Sequence, residues 1–127
     1  MSSKGFTLIE VLLVLSVIAV LGVCLLFFKV QSSLQLSYEM KIIYHKLLYA
    51  QAQSIAKKKT ISVDFQGDSY HINNDLETFS SSMHCSSIRF HFTPLGTISK
   101  AGTITCSLQG YQKKIVLQLG SGRIYVE

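Results

Sequence analysis

The stretch FTLIEVLLVLSVIAVLGVCLLFF, residues 6–28, decides the fold. Its clearly polar members are Thr7, Glu10 and Ser16, and from Val11 to Phe28 it runs without a charge. An uncharged run of that length approaches the ~20 residues a helix needs to cross a bilayer, so a membrane span is predicted. A cleaved secretory signal has a shorter apolar core closed by small residues, whereas this run ends in CLLFFKVQ. The apolar segment is therefore expected to stay in the mature protein. A chain of 127 residues then has room for one small domain besides the span.

Beyond Lys29 there is no Gly until Gly67 and no Pro until Pro94. Leu36, Met40, Ile43, Leu47 and Ala50 recur at spacings of four and three, which makes one apolar stripe on a helix. Tyr44, Leu48 and Ile55 are expected to widen it, while Lys41, Lys46, Gln53 and Lys57 fall mainly elsewhere. One helix is predicted from the membrane to about residue 57. At ~1.5 Å per residue it would be roughly 75 Å long, with about half of it outside the bilayer.

The period then changes to two. Ile61, Val63 and Phe65 alternate with Ser62 and Asp64, and QGDS separates them from Tyr70 and Ile72, which reads as a hairpin. Ile88, Phe90 and Phe92, then Ile104, Cys106 and Leu108, mark two half-buried strands. IVLQL (115–119) and RIYV (123–126) read as a closing pair around GSG, preceded by a turn at QGYQ. Residues 73–87, rich in Ser and Asn, are expected to be a loop. A sheet unit of residues 60–127 alone buries only ~60% of its unfolded surface, so the striped half of the helix is its natural second layer. The expected class is α+β, a long N-terminal helix packed on a small antiparallel sheet. Its divisions are a short leader at 1–5, a membrane half at 6–28, an amphipathic half at 29–58 and a β domain at 59–127.

Glu10 is the anomaly. A charged side chain at a bilayer centre costs ~2.5–3.5 kcal/mol on insertion scales, less at the interface, so it either reaches solvent there or has a partner. Read whole, KGFTLIEVLLVLSVIAV (4–20) resembles the N-terminus of type IV pilins and of the pseudopilins of type II secretion and DNA uptake. The matching features are a short basic leader with Lys4, Gly5 before Phe6, Glu10 as the fifth residue after that point, and the apolar helix. The resemblance implies a pilin-like fold, cleavage between Gly5 and Phe6 by a prepilin peptidase, and N-methylation of Phe6. Physics supplies a use for the carboxylate. Cleavage frees a cationic α-amino group on Phe6, and an anion isolated in hydrocarbon is costly, so pairing Glu10 with the amine of a neighbouring subunit relieves both.

The second half narrows the resemblance. IRFHFTPLGTISKAGTITCSLQG (88–110) and KKIVLQLGSGRIYVE (113–127) are similar to the C-terminal domain of H-type pseudopilins, with an aromatic strand, a P-x-G turn and a closing G-x-G-R hairpin. Within that group the brevity and ending look most like minor pilins of the Gram-positive competence pilus that takes up DNA. The partners so implied are the major pilin and other minor pilins, the prepilin peptidase, an assembly platform with its motor ATPase, and the cell membrane before assembly. The chain would then pass to a cell-surface pilus. Two rivals stand beside this: a secretion-type pseudopilin, and an unprocessed single-pass protein with an extracellular binding module.

Other candidates come from the residues. Gly120 and Gly122 allow a tight reversal, after which Ile124 and Val126 share one face and Arg123 and Tyr125 the other. The net charge of +5 is a bias and not a polycation. The resemblance implies that basic C-terminal residues contact DNA, which points to Arg123, Lys114 and Lys113, with Lys57–Lys59, Arg89 and Tyr125 as further candidates by their chemistry. Lysines at the end of a helix also serve simply as partners of its dipole. Cys85 and Cys106 form a disulfide or remain two buried thiols, and Cys24 acts as a small hydrophobe in the span. No spacing supports a metal site, a nucleophile or a phosphate loop, so no cofactor and no catalysis are expected.

Overall fold

The computed structural model describes residues 7–79 and 82–127. A single helix α1 runs from Leu8 to Lys57, and seven strands follow: β1 (Ile61–Gly67), β2 (Ser69–Ile72), β3 (Asp75–Thr78), β4 (His84–Phe92), β5 (Gly102–Leu108), β6 (Tyr111–Leu117) and β7 (Ile124–Val126). The architecture is α+β and pilin-like. The chain forms two compact units, Met1–Gln31 and Ser32–Glu127.

Sequence chemistry explains both ends of α1. Thr7 precedes the first helical residue, and its carbonyl accepts from the amides of Glu10 and Val11 at 3.0 and 3.3 Å. At the far end Lys58 takes φ 50°, its amide donates to the Ile55 carbonyl, and the Lys59 amide reaches the Ser54 carbonyl at 3.2 Å. That pair of bonds is a Schellman closure, here with lysine at the left-handed position that glycine usually fills.

Within the second unit the stripe Leu36, Met40, Ile43, Leu47 and Ala50 is buried, with Tyr44 and Leu48 packed beside it. It meets the inner face of a seven-stranded antiparallel sheet of order β3-β2-β1-β4-β5-β6-β7. Val63, Phe65, Phe90, Phe92, Ile104, Ile115 and Leu117 supply that face. At ~1.5–3 kcal/mol for each fully buried large apolar side chain, this two-layer contact is the main stabilising term. Tyr70 stacks between Phe65 and Phe79, with ring centroids 5.2 and 5.3 Å away.

Three details differ from the sequence reading. Residues 73–87 are not one loop, because β3 pairs with β2 through four residues and β4 already begins at His84. DLET is a polar edge strand, so its side chains carry no apolar alternation to reveal it. Ile55 is 49% exposed instead of widening the stripe, and Ser54 takes the buried position, donating its hydroxyl to the Gln51 carbonyl at 2.7 Å. The turn before β6 is tighter than QGYQ suggests: Leu108 pairs with Tyr111, leaving Gln109 and Gly110, both at positive φ, as a two-residue hairpin loop.

The sheet is weakest between β4 and β5. Only His84 with Ser107 and Cys85 with Cys106 pair there, and farther along the Phe92–Ile98 bridge resumes contact. Hydroxyls fill the gap, the Thr105 amide donating to Ser86 Oγ and the His91 amide to Ser99 Oγ, both at 3.0 Å.

Candidate functional site

Between Leu8 and Phe27 the large apolar side chains of α1 are exposed, and the most apolar window, of mean hydropathy 3.2, has no buried share. Nothing in this unit covers them, so lipid or other helices must. Ser16 satisfies its hydroxyl locally by donating to the Leu13 carbonyl at 2.7 Å. Glu10 lies in the first helical turn, where the amide dipoles favour an anion. Among the described residues its carboxylate has no ion pair or side-chain hydrogen bond, which leaves it open to a cation from outside the chain. The expected cleavage and methylation position, Gly5 and Phe6, lies outside the described residues.

The basic residues of the closing hairpin do not form one patch. Alternation along β6 sends Lys114 to the outer face with Arg123 and Tyr125 of the β7 segment, whereas Lys113 shares the inward parity of Ile115 and Leu117. Lys114 sits opposite Glu127, their backbones exchanging bonds of 2.9 and 2.8 Å, while Arg123 lies at the other end of the hairpin opposite Gln118. Arg89 is committed elsewhere. Its guanidinium donates twice to one oxygen of Asp64, at 2.6 and 3.0 Å. That contact, with a further bond from Gln66, holds the Asp64 carboxyl below the usual carboxylate range.

Cys85 and Cys106 are bonded to each other as directly opposed neighbours on β4 and β5, with Cα atoms 4.0 Å apart. The bridge therefore lies in the short stretch where these two strands pair. Lys46 is ion-paired to Glu77 at 2.8 Å and stands 5.8 Å from the Tyr70 ring centroid. Burial disfavours its charge, yet Glu77 and the Tyr70 hydroxyl together outweigh that and raise its pKa. Burial pushes the Tyr70 hydroxyl up as well.

Sequence reasoning passed over Gln51. Its side-chain nitrogen donates to the carbonyls of Gly96 and Gly122, tying α1 to the P-x-G turn and to the G-x-G turn at once. A Cβ at Gly122 would collide with the Gly96 carbonyl and with Gln51, and a Cβ at Gly96 would collide with Ile55. Gly122 is thus required by close approach to backbone as well as by its φ of 64°, and Gly96 by its φ of 78°. A glutamine on the flank of an amphipathic stripe carries no local mark of such a task.

Residues 1–23 match the prokaryotic N-terminal methylation motif, the type IV pilin-like prepilin signal. No curated protein and no solved structure matches. The motif implies processing by a prepilin peptidase and assembly with other pilins, and it covers the leader, Phe6, Glu10 and the apolar run as far as Val23.

Proposed function

We propose that this chain is a minor pilin of a competence-type filament, inserted in the membrane as a precursor, trimmed after Gly5, methylated on Phe6 and drawn into a thin surface pilus with the major pilin and other minor pilins. The observation that carries this reading is Glu10, a carboxylate in the first turn of the apolar half of α1, without an ion pair among the described residues and inside the matched motif. An α-amino group on Phe6 of an adjoining subunit is the cation it lacks, and the pair would fix the axial stagger of neighbouring helices.

A second feature supports assembly through the helix. Leu34, Tyr38, His45 and Tyr49 are exposed and, at 100° per residue, lie on the side of α1 opposite the buried stripe. The helix therefore keeps an outward surface with apolar and aromatic members after its own sheet has been packed. An assembly platform and motor ATPase would drive extraction from the membrane. The likeness of residues 88–127 to H-type pseudopilins supports a minor rather than a major subunit, and their ending supports the competence system over secretion.

The test has two parts. N-terminal sequencing of the mature protein should begin at methylated Phe6; Met1 or Ser2 would identify an unprocessed single-pass protein instead. Deleting the protein should abolish both pilus formation and transformation. Loss of a secreted protein with transformation intact would move the chain to a secretion system.

A further inference from the structure

We infer that the groove between α1 and the β2–β3 hairpin is a binding site for a short zwitterionic peptide, which sets its ammonium against Asp75 and its carboxylate between Lys57 and Lys59. The groove has a volume of about 590 Å³, within the range of small-molecule sites. One wall is a flank of α1 on which Lys46, Ala50, Gln53 and Lys57 follow each other at spacings of four, three and four. At ~1.5 Å per residue that flank is roughly 16 Å long. The other wall is the hairpin, where Asp75 and Glu77 share one face of β3, opposite Ile72 and Tyr70 of β2.

Two contacts fix the order of the charges along it. Lys46 Nζ stands 2.8 Å from Glu77, which closes that pair on itself at one end. The Asn73 amide donates to the Ser62 carbonyl at 2.7 Å and so holds the hairpin turn beside the start of β1, where Lys59, Thr60 and Ile61 line the other end. Lys57 reaches the same end as the last residue of α1. Asp75 lies between, midway along the chain from Asn73 to Glu77. Asp75, Lys57 and Lys59 are all exposed, and none forms an ion pair among the described residues. Lys57 makes a long contact of 3.5 Å with Gln53 Oε1, which does not neutralise it.

The groove therefore leaves one carboxylate and two ammonium groups without a counter-ion, over a floor to which Ala50, Ile61 and Ile72 contribute apolar surface. An anion alone would meet Asp75 as a like charge, and a cation alone would meet the two lysines. A molecule carrying both signs, well separated, satisfies all three. An extended peptide rises ~3.3 Å per residue, so about three residues lie along the groove with their charged ends apart. Thr60 and Asn73 line the same end and can both donate and accept, as a peptide backbone requires. A chain of like charges has no such fit, because Asp75 would oppose it.

The inference does not rest on filament assembly, and its test uses the full chain in micelles of neutral detergent. Trialanine is titrated into isotope-labelled protein, with N-acetyl-trialanine, trialanine amide and inorganic phosphate as comparison probes. Trialanine should shift the backbone amides of Thr60, Asn73 and Asp75. Blocking either of its ends should weaken binding by about fivefold, the scale of one solvent-exposed charge pair. Asp75→Asn should weaken trialanine by about the same factor and leave N-acetyl-trialanine unchanged. The double variant Lys57→Gln, Lys59→Gln should weaken trialanine at least about fivefold and leave trialanine amide unchanged. Unaltered thermal unfolding of each variant shows that the fold is intact. This matching of variant to ligand end is what a general loss of structure would not produce. The inference is overturned by no shift at about 10 mM trialanine, by losses that ignore which end is blocked, or by phosphate binding as tightly as trialanine, which would mark a simple anion site.

Discussion

Gln51 donates its side-chain amide to the carbonyl of Gly122, 71 positions later, at 2.8 Å, and the same nitrogen reaches the carbonyl of Gly96 at 2.7 Å. The P-x-G turn and the G-x-G turn are thus held by one residue of the helix. They present Leu95 and Leu119 at 86% and 62% exposure, so the clamp fixes the display of two apolar side chains that the core does not hold.

Replacing Gln51 tests the clamp. An amide nitrogen has two hydrogens to give, and both are spent here, whereas a glutamate offers only acceptors to two carbonyls. Gln51→Ala should cost about 1–3 kcal/mol of stability and Gln51→Glu more, read from thermal unfolding of the chain in micelles. An unchanged midpoint in both variants would show that the two turns hold themselves.

Lys58 occupies a left-handed position at no benefit to its own backbone. Lys58→Gly removes that strain while the Schellman bonds of residues 58 and 59 remain, and should stabilise the protein by about 0.5–1 kcal/mol. Chemical denaturation at matched conditions reads the difference, and destabilisation would contradict the account.

Asp64 gives stability a defined pH dependence. Its folded pKa is depressed by Arg89, so its contribution is complete above the unfolded value of about 3.9 and disappears as pH falls through the folded value. Asp64→Asn should flatten the loss of stability below about pH 4 while changing little near neutrality, because Arg89 is exposed and the pair is solvent-screened. Identical acid profiles for the two proteins would remove Asp64 from the explanation.

The disulfide joins the two parts of the sheet where their backbone pairing is shortest. Closing a loop across 21 positions is worth about 3 kcal/mol on the chain-entropy model. The double variant Cys85→Ser, Cys106→Ser should lose stability on that scale and expose the β4 and β5 amides to hydrogen exchange before those of β1. Uniform loss of protection across all strands would mean that the bridge does not hold this seam in particular.

Glu10→Val keeps the helix apolar and removes the charge. Cleavage after Gly5 and membrane insertion should persist, since neither needs the carboxylate, while incorporation beside wild-type subunits should fall by at least about tenfold if a desolvated pair is lost. Co-purification with sheared filaments measures it, and normal incorporation would refute the pairing.

Local chemistry made much of the molecule legible in the sequence. The uncharged run from Val11 to Phe28 declares itself by its length, and the stripe from Leu36 to Ala50 and the alternation in β1 follow from the periods of 3.6 and 2 that a single element imposes on its own side chains. The motif around Gly5, Phe6 and Glu10 was equally readable, because its members are neighbours in the chain. Strand β3 was hidden, since an edge strand with polar side chains is defined by its backbone partner on β2 and not by any face of its own. The parting of Lys113 from Lys114, the opposition of Cys85 to Cys106 and the meeting of Gly96 with Gly122 at Gln51 were decided only by tertiary structure. Each depends on strand register or on contact between segments distant in sequence, and such relations exist only once the sheet is paired and the helix laid across it.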